Sequence, residues 1–322
     1  MATDHASIVI EEASSAVVSR SLARSHRFTV ILCFLSIYLI WGSTYLAIRY
    51  AVETIPPLYT AGIRHLTAGS ILLFWCLAKR LRPTWAQIRA SVIIGVFFFL
   101  IGHGALHWAE QKVPSGLASL LIASEPIWVF LLSAVAARQW HWNGALLAGI
   151  FLGLGGAGLL MGRSALTSVP GMFVGSLAVV ISALSWSVGV VYSRRSHLSG
   201  NPLLLSALSL LAGSAQLLLV GTIAGEYRGF SFASVSLRSW LSLGYLIVFG
   251  SVVAFTAYNW LMEHYSPTLV ATHTYINPIV AVLLGWLLAG EAVTVNVLLS
   301  AAMVISAVML VDRGMAHLPK RS

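Results

Sequence analysis

The chain has 322 residues, of which 58% are apolar and 9% are charged, and its mean hydropathy is +0.87. These are too few charges to solvate a globular surface, so the composition excludes a water-soluble globular protein. The formal net charge is +9, but no basic surface with interleaved aromatic residues remains once the apolar runs are set aside, so nucleic acid is not an expected partner.

The apolar residues form ten long runs. A hydrocarbon layer about 30 Å thick is crossed by about 20 helical residues, so the runs predict an all-α membrane protein with ten transmembrane helices. The two-residue alternation of a membrane barrel is absent. The predicted spans are residues 28–48, 58–78, 88–109, 116–136, 143–161, 171–191, 202–223, 238–260, 268–288 and 295–311.

An internal repeat links the two halves of the chain. Trp41–Arg49 resembles Trp186–Arg194 at a spacing of 145 residues, and Glu125-Pro126 resembles Asn277-Pro278 at a spacing of 152. Each copy holds five predicted helices, an odd number, so the second copy must enter the membrane from the opposite side. The prediction is a pair of inverted five-helix repeats, an arrangement typical of secondary transporters.

The charge distribution predicts the orientation and the domain limits. Most Lys and Arg residues fall on one side of the predicted spans, together with both chain ends, so both termini are expected to be cytoplasmic. The predicted organisation is a disordered tail at 1–27, repeats at 28–161 and 171–311, and a cytoplasmic tail at 312–322. The first apolar run is long enough for a span and is expected to remain as the first helix.

The third span carries three ionisable groups on one helical face. His103, His107 and Glu110 follow at positions i, i+4 and i+7, and such groups inside a membrane face the protein interior or a watery cavity. The histidines are interpreted as a substrate-contacting wall; the alternative is two neutral rings bonded to neighbouring helices. Glu110 stands near the helix end beside Lys112 and is expected at the membrane interface.

The fourth span contains Glu125-Pro126, followed by Trp128. Proline removes a backbone donor and frees a carbonyl one turn earlier, so polar partners are required there. Glu125 could carry a proton, balance a substrate amine or accept structural hydrogen bonds. Its repeat counterpart Asn277 cannot titrate, and Tyr275 lies beside it. Pro278 is expected to open the ninth span in the same way.

Aromatic and small residues complete the set of candidates. Trp41 and its counterpart Trp186 are expected to line a cavity, where indole rings can stack on a small organic molecule. Arg64, inside the second span, could bind a substrate carboxylate but is assigned a structural role. Small residues crowd the fifth and tenth spans, which predicts close helix packing within the chain or a homodimer through either helix.

These motifs together resemble the drug/metabolite transporter superfamily, specifically its ten-helix EamA-type permeases and bacterial exporters of aromatic amino acids and related metabolites. The resemblance covers Phe28 to Val311. It implies a central cavity and a place in the cytoplasmic membrane. The motifs are Trp41 to Tyr45, Arg64 after Pro56-Pro57, Ala109-Glu110, Glu125-Pro126, Asn277-Pro278 and Gly290-Glu291.

Two departures limit the resemblance. The first half has Arg138-Gln139 where the second has Gly290-Glu291, so a symmetric gating contact is in doubt. His103 and His107 stand where the amino-acid exporters carry cavity aromatics, so the substrate preference does not transfer.

The predicted function is an inner-membrane secondary transporter that exports small metabolites, such as amino acids or related compounds, by alternating access. It works within the lipid bilayer, and no cofactor, bound metal or catalytic residue is expected. The competing class is an intramembrane enzyme acting on lipid or peptide, although no HExxH or GxSxG motif is present. The candidate substrate-binding residues are Trp41, Ser43, His103, His107, Glu125, Trp128, Trp186, Tyr258, Asn259, Tyr275 and Asn277.

Overall fold

The computed structural model describes residues 27–137, 143–166, 170–196, 201–228, 230–265, 267–270 and 272–316. Over these ranges the regular structure is helical and no strand occurs, which confirms the all-α prediction. Most of the predicted N-terminal tail, the connection with Arg138-Gln139 and residues 317–322 lie outside the described residues.

Among the residues that the structure describes, each of the ten predicted segments is mostly helical. Seven helices are long and apolar enough to cross a membrane: α1 (Arg27–Ala51), α2 (Pro57–Ala78), α3 (Trp85–Ala109), α4 (Ser115–Ala136), α6 (Met172–Arg194), α7 (Pro202–Ile223) and α8 (Leu237–His264). Three shorter apolar helices are α5 (Gly144–Leu160), α9 (His273–Ala289) and α10 (Val295–Val311). The first of these continues as helix to Leu166 and the last to Ala316.

The helix starts follow from local sequence signals. Pro57 and Pro202 occupy first-turn positions, where a missing backbone donor costs nothing. The Asn201 side chain accepts from the first free amides of α7. Thr84 and Gln87 form a reciprocal capping box at the start of α3.

Large apolar side chains cover the outside of the bundle. Phe74, Phe151 and Ile223 are each about three-quarters exposed, at 76%, 74% and 77%, which would be costly in water and suits a hydrocarbon solvent. Small residues lie inside. A Cβ atom added to Gly149 on α5 would lie 2.8 Å from the Ala307 carbonyl oxygen on α10, so this glycine face packs within the chain.

Hydrogen bonds fix the relative directions of α1, α8 and α9. Tyr38 bonds Thr272 at 2.6 Å and Tyr50 bonds the Leu288 carbonyl at 2.8 Å, so α1 and α9 run parallel. Ser239, near the start of α8, donates to the Tyr50 carbonyl at 2.7 Å. The later part of α8 meets the earlier part of α1, so these two helices are antiparallel.

A second set of contacts shows the directions of α4 and α6 relative to α9 and α1. Ser115, at the start of α4, lies beside Gly285 near the end of α9, so α4 and α9 are antiparallel. A Cβ atom at Gly175 would lie 2.6 Å from Val113, and Ser187 donates to the Glu125 carbonyl at 3.3 Å, so α4 and α6 are parallel. Helix α6 therefore runs opposite to α1.

The remaining contacts form antiparallel pairs. On α6, Ser182 donates to the Gly102 carbonyl at 2.6 Å and Ser185 to the Phe97 carbonyl at 2.8 Å, so α3 runs against α6. Helix α2 packs against α7 along its length, and α5 packs against α10 in the same way.

Several helices depart from regular α geometry. Residues Ser36–Ile40 of α1, Val96–His103 of α3 and Leu246–Val253 of α8 are π-helical, a feature that often accompanies functional sites. Helix α4 is interrupted between Ile122 and Glu125. A short helix, Pro267–Val270, precedes α9.

Candidate functional site

Trp41 organises an aromatic cluster between α1, α8 and α9. Its indole nitrogen donates to the Gly250 carbonyl at 3.1 Å. The ring centroid lies 5.6 Å from Phe255, 5.3 Å from Tyr258 and 5.0 Å from His273. Two of the predicted site residues, Trp41 and Tyr258, are therefore brought together.

Asn277 ties α9 to α1 beside this cluster. A Cβ atom at Gly42 would lie 2.6 Å from Val280, so only glycine permits the close approach. With its nitrogen facing acceptors, the Asn277 amide donates to the carbonyls of Ile37 and Tyr38, at 3.2 and 3.1 Å. These carbonyls belong to the π-helical part of α1. The Asn277 amide was predicted to contact substrate; in this conformation it donates to backbone oxygens of α1.

Trp186 forms a second aromatic cluster, between α3 and α6. Its ring stacks on Phe98 at 4.3 Å with 20° between the planes, and on His103 at 5.2 Å with 17°. Phe99 meets the same indole edge-on at 6.3 Å. This packing brings two more predicted residues, His103 and Trp186, into contact.

The third span contributes a chain of histidine contacts. His103 Nδ1 lies 2.7 Å from Nε2 of His65 on α2. His107 Nδ1 lies 2.7 Å from the His103 carbonyl; a carbonyl only accepts, so Nδ1 carries the proton. Within the described residues no group of three or more His, Cys, Asp or Glu side chains could hold a metal ion.

His65 was missed by sequence reasoning, and so was the burial of Glu110. His65 is fully buried, and its neighbour Arg64 donates from Nε to Ser251 Oγ at 2.9 Å, as its structural assignment requires. Glu110 is only 2% exposed. Its charged neighbours are Glu291, on the segment after α9, and Arg49, on α1, so the burial comes from contacts with distant parts of the chain.

Glu125 begins the second part of α4, directly after the interruption. It is half-buried and interacts electrostatically with Arg194 at the end of α6. A helix N-terminus stabilises a carboxylate through its free amides and dipole. Trp128 donates to Ser124 Oγ at 3.1 Å, which holds the indole against the interruption.

The other three predicted residues lie outside both aromatic clusters. Ser43 bonds the Tyr245 hydroxyl at 2.6 Å and lines an open, mostly apolar groove of about 570 Å³ between α1, α8 and α9. Asn259 donates to the Phe255 carbonyl of its own helix at 2.9 Å. Tyr275 packs beside the cluster that contains Ala123.

Glu291 joins three helices at the end of the bundle where α1 ends. Its carboxylate forms an ion pair with Arg49. It also accepts from the backbone nitrogen and hydroxyl of Ser115, both at 2.8 Å, and from the Gly116 nitrogen at 3.0 Å. The carboxylate thus caps α4. Its repeat counterpart Gln139 lies outside the described residues.

Two further carboxylates act at the same end. Glu226 accepts from the backbone nitrogens of Leu58 and Tyr59 at 3.1 Å, which caps α2. Burial raises the pKa of Glu226, and these backbone donors oppose the shift. Glu53 pairs with Arg238 near the surface. None of these contacts follows from a local motif.

The chain matches the EamA-like transporter family twice, over residues 28–162 and 173–312. The chain belongs to the EamA-like transporter family. It is therefore a membrane transporter, which confirms the family resemblance drawn from the motifs.

Curated relatives of this EamA-like transporter cover most of its length. It is 36% identical to the uncharacterized inner membrane transporter YedA of Escherichia coli K12, over 89% of this chain and 91% of the relative. It is 26% identical to the uncharacterized transporter YoaV of Bacillus subtilis, over 87% and 96%. A solved crystal structure, 22% identical, shares the fold with a TM-score of 0.60 over 87% and 95% of the two chains.

Proposed function

We propose that this EamA-like protein is an inner-membrane secondary transporter that exports small metabolites, such as amino acids or related compounds, by alternating access. Its ten helices would form two inverted five-helix repeats, at 28–161 and 171–311. The supporting observation is the pattern of helix directions. The antiparallel pair α1 and α8 has its counterpart in α6 and α3, and the parallel pair α1 and α9 in α6 and α4.

Side-chain contacts support the same pairing. Trp41 packs on Phe255, and Trp186 packs on His103. The tryptophans are 145 residues apart and their partners 152 residues apart, the two spacings of the sequence repeat. The π-helical segments of α3 and α8 are 150 residues apart. Two halves with equivalent contacts can exchange their arrangements, which is the basis of alternating access.

The chemistry of the two clusters supports a small organic substrate. Aromatic faces stack on planar groups, and histidine, hydroxyl and amide groups orient them. The carboxylate of Glu125 could balance a substrate amine. The relative YedA is described as an inner membrane transporter, and the basic residues favour cytoplasmic termini. In that orientation the Arg49 end faces away from the cytoplasm.

Flux in proteoliposomes tests the proposal. Purified protein is reconstituted with unlabelled amino acids inside, and entry of each radiolabelled amino acid by counterflow is measured against empty liposomes. We expect concentration-dependent, saturable entry of at least one unmodified compound. A chemically altered lipid or peptide product without any flux would support the competing enzyme instead.

Topology is tested separately. A tag in the connection between Leu166 and Met172 should react with a membrane-impermeant reagent from the side opposite to both termini. Reaction from the same side as the termini would overturn the inverted repeat.

A further inference from the structure

Glu110 is a buried carboxyl group that the substrate site does not use. It follows the last turn of α3, it is 2% exposed, and neither carboxylate oxygen makes a hydrogen bond of regular geometry, although the Arg49 backbone amide is close enough to stabilise the charged form. An ionised carboxylate in such a place is unfavourable, because burial removes its water and the charge of Glu291 repels it, and these two effects outweigh the nearby Arg49. These surroundings favour the neutral, protonated form of Glu110 in this conformation.

Glu110 lies beside the Arg49–Glu291 ion pair, and Arg49 could pair with Glu110 instead. Its strongest charged neighbours are Glu291, on the segment after α9, and Arg49, on α1. Arg49 is paired with Glu291 here. Two carboxylates thus lie near one guanidinium, and because their negative charges repel each other, protonation of one favours the pairing of the other with Arg49.

The other charged and titratable groups around Glu110 have different partners or act on it only electrostatically. Arg64 on α2 is engaged by Ser251. Tyr45 on α1 also interacts with Glu110 electrostatically. On the same helix, His107 donates to a backbone carbonyl. Lys112 turns away, with its ammonium 4.7 Å from the Trp108 ring centre.

The Arg49–Glu291 pair also holds the end of the bundle together. Glu291 caps α4 through Ser115 and Gly116 while it pairs with α1. A cavity of about 230 Å³, lined in part by Met172 and Val297, adjoins this carboxylate. It offers room for Glu291 to move when its partner is withdrawn.

We infer that Glu110 is the binding site of a coupling proton, and that Glu110 and Glu291 compete for Arg49. With a proton bound, Glu110 is neutral, Arg49 pairs with Glu291, and the contact between α1, α4 and the end of α9 is closed. When the proton leaves to solvent, the Glu110 carboxylate attracts Arg49, Glu291 is released, and this end opens. The inference rests on the proposed transport function and names its coupling ion.

The test measures opening without any substrate. Spin labels are placed at Leu237→Cys and Val293→Cys, both exposed at this end, with Cys33 and Cys76 replaced by alanine. Double electron–electron resonance of the full-length protein in lipid nanodiscs then measures the distance between the two labels at a series of pH values from acidic to alkaline. We expect the separation to shift to longer values as the pH rises, with the proton as the only added ligand.

Two neutralising substitutions separate the roles of the carboxylates. Glu110→Gln mimics the protonated acid and should keep the short separation at every pH. Glu291→Gln cannot form the ion pair and should show the longer separation even at acidic pH. Glu226→Gln is the matched control for loss of a partly buried carboxyl group at the same end, and it should keep the wild-type response because its amide oxygen can still accept from Leu58 and Tyr59.

The outcomes are distinguishable from failure of the transport proposal. A wild-type separation that does not move with pH, or a Glu110→Gln variant that moves as the wild type does, overturns the proton site even where counterflow is normal. A pH-dependent separation abolished by Glu110→Gln supports the proton site, and it does so whichever solute the liposome assay identifies.

Discussion

His103 and His65 share one hydrogen bond, with 2.7 Å between Nδ1 of the first and Nε2 of the second. Only one of these two nitrogens carries a proton in that bond, so the tautomers of the two rings are linked. The bond fixes the His103 ring between α2 and Trp186, on which it stacks. A change at either histidine should therefore reach the indole.

The first prediction concerns this contact. His103→Ala removes the stacking surface and the link to His65, and an aromatic pair contributes roughly 0.5–1.5 kcal/mol beyond its buried area. We expect the apparent affinity for a transported solute to fall by up to about tenfold, while membrane abundance stays near the wild-type value. Concentration-dependent counterflow and quantitative immunoblotting of membranes measure the two effects.

The control is His264→Ala, because His264 is exposed and stacks on Trp260 at the end of α8. It should leave affinity unchanged. If His103→Ala disappears from the membrane while its remaining protein transports with normal affinity, the side chain is structural.

The second prediction compares the two tryptophans. Trp41 and Trp186 each join helices from both halves of the chain. Replacing either by Ala should lower transport strongly, and replacing either by Phe should have a smaller effect because much of the ring contact is retained. Initial rates of counterflow, normalised to protein amount, measure this.

Trp75→Ala is the matched control, since this tryptophan is 58% exposed on the outside of α2. A loss of transport confined to one of the two inner tryptophans would contradict their equivalence in the proposed repeat.

More of the fold than of the candidate site could be predicted from the sequence. Ten apolar runs are enough to locate ten helices, because backbone groups without water must bond locally. Trp41 and Trp186 could be chosen as site candidates because they occupy equivalent positions in the two copies of the repeat. His65 had no such signal: it stands alone in an apolar helix, and its importance depends on the approach of α3.

Glu110 and Glu291 show why contacts between distant segments were harder to predict. Beside Lys112, Glu110 has the sequence surroundings of an interfacial residue, and its burial depends on α1 and on the segment after α9, which supply its charged neighbours Arg49 and Glu291. Glu291 was recognised from a motif, but its partners come from residues 49, 115 and 116. Glu291 contacts these residues only because three helix ends lie close together in the fold, and no local sequence pattern predicts where those ends lie.

The third prediction tests the close approach of α1 and α9. Gly42→Ala places a methyl group where Val280 already lies, and overpacking of this kind costs about 1–3 kcal/mol. We expect a lower thermal midpoint in detergent and reduced transport. Gly244→Ala is the matched control, because a Cβ atom there would meet nothing within 4 Å.

In Gly244→Ala the midpoint should stay equal or rise, since alanine is the better helix former. Equal destabilisation by both substitutions would mean that helix propensity, rather than packing against Val280, decides the effect.

The fourth prediction concerns the cap formed by Glu291. Glu291→Ala leaves the Ser115 and Gly116 amides without their acceptor and Arg49 without its partner, and an unsatisfied buried polar group costs about 1–3 kcal/mol. Thermal unfolding in one detergent should therefore show a clear loss of stability. Glu291→Gln should lose less, because its amide oxygen can still accept from α4.

Glu53→Ala provides the control, since it removes an ion pair with Arg238 whose side chains are 33% and 59% exposed. Pairs of this kind contribute about 1 kcal/mol or less, because water screens them. The expected order of midpoints is wild type and Glu53→Ala highest, then Glu291→Gln, then Glu291→Ala. If Glu53→Ala is as damaging as Glu291→Ala, then charge pairing at this end, and not the cap on α4, stabilises the bundle.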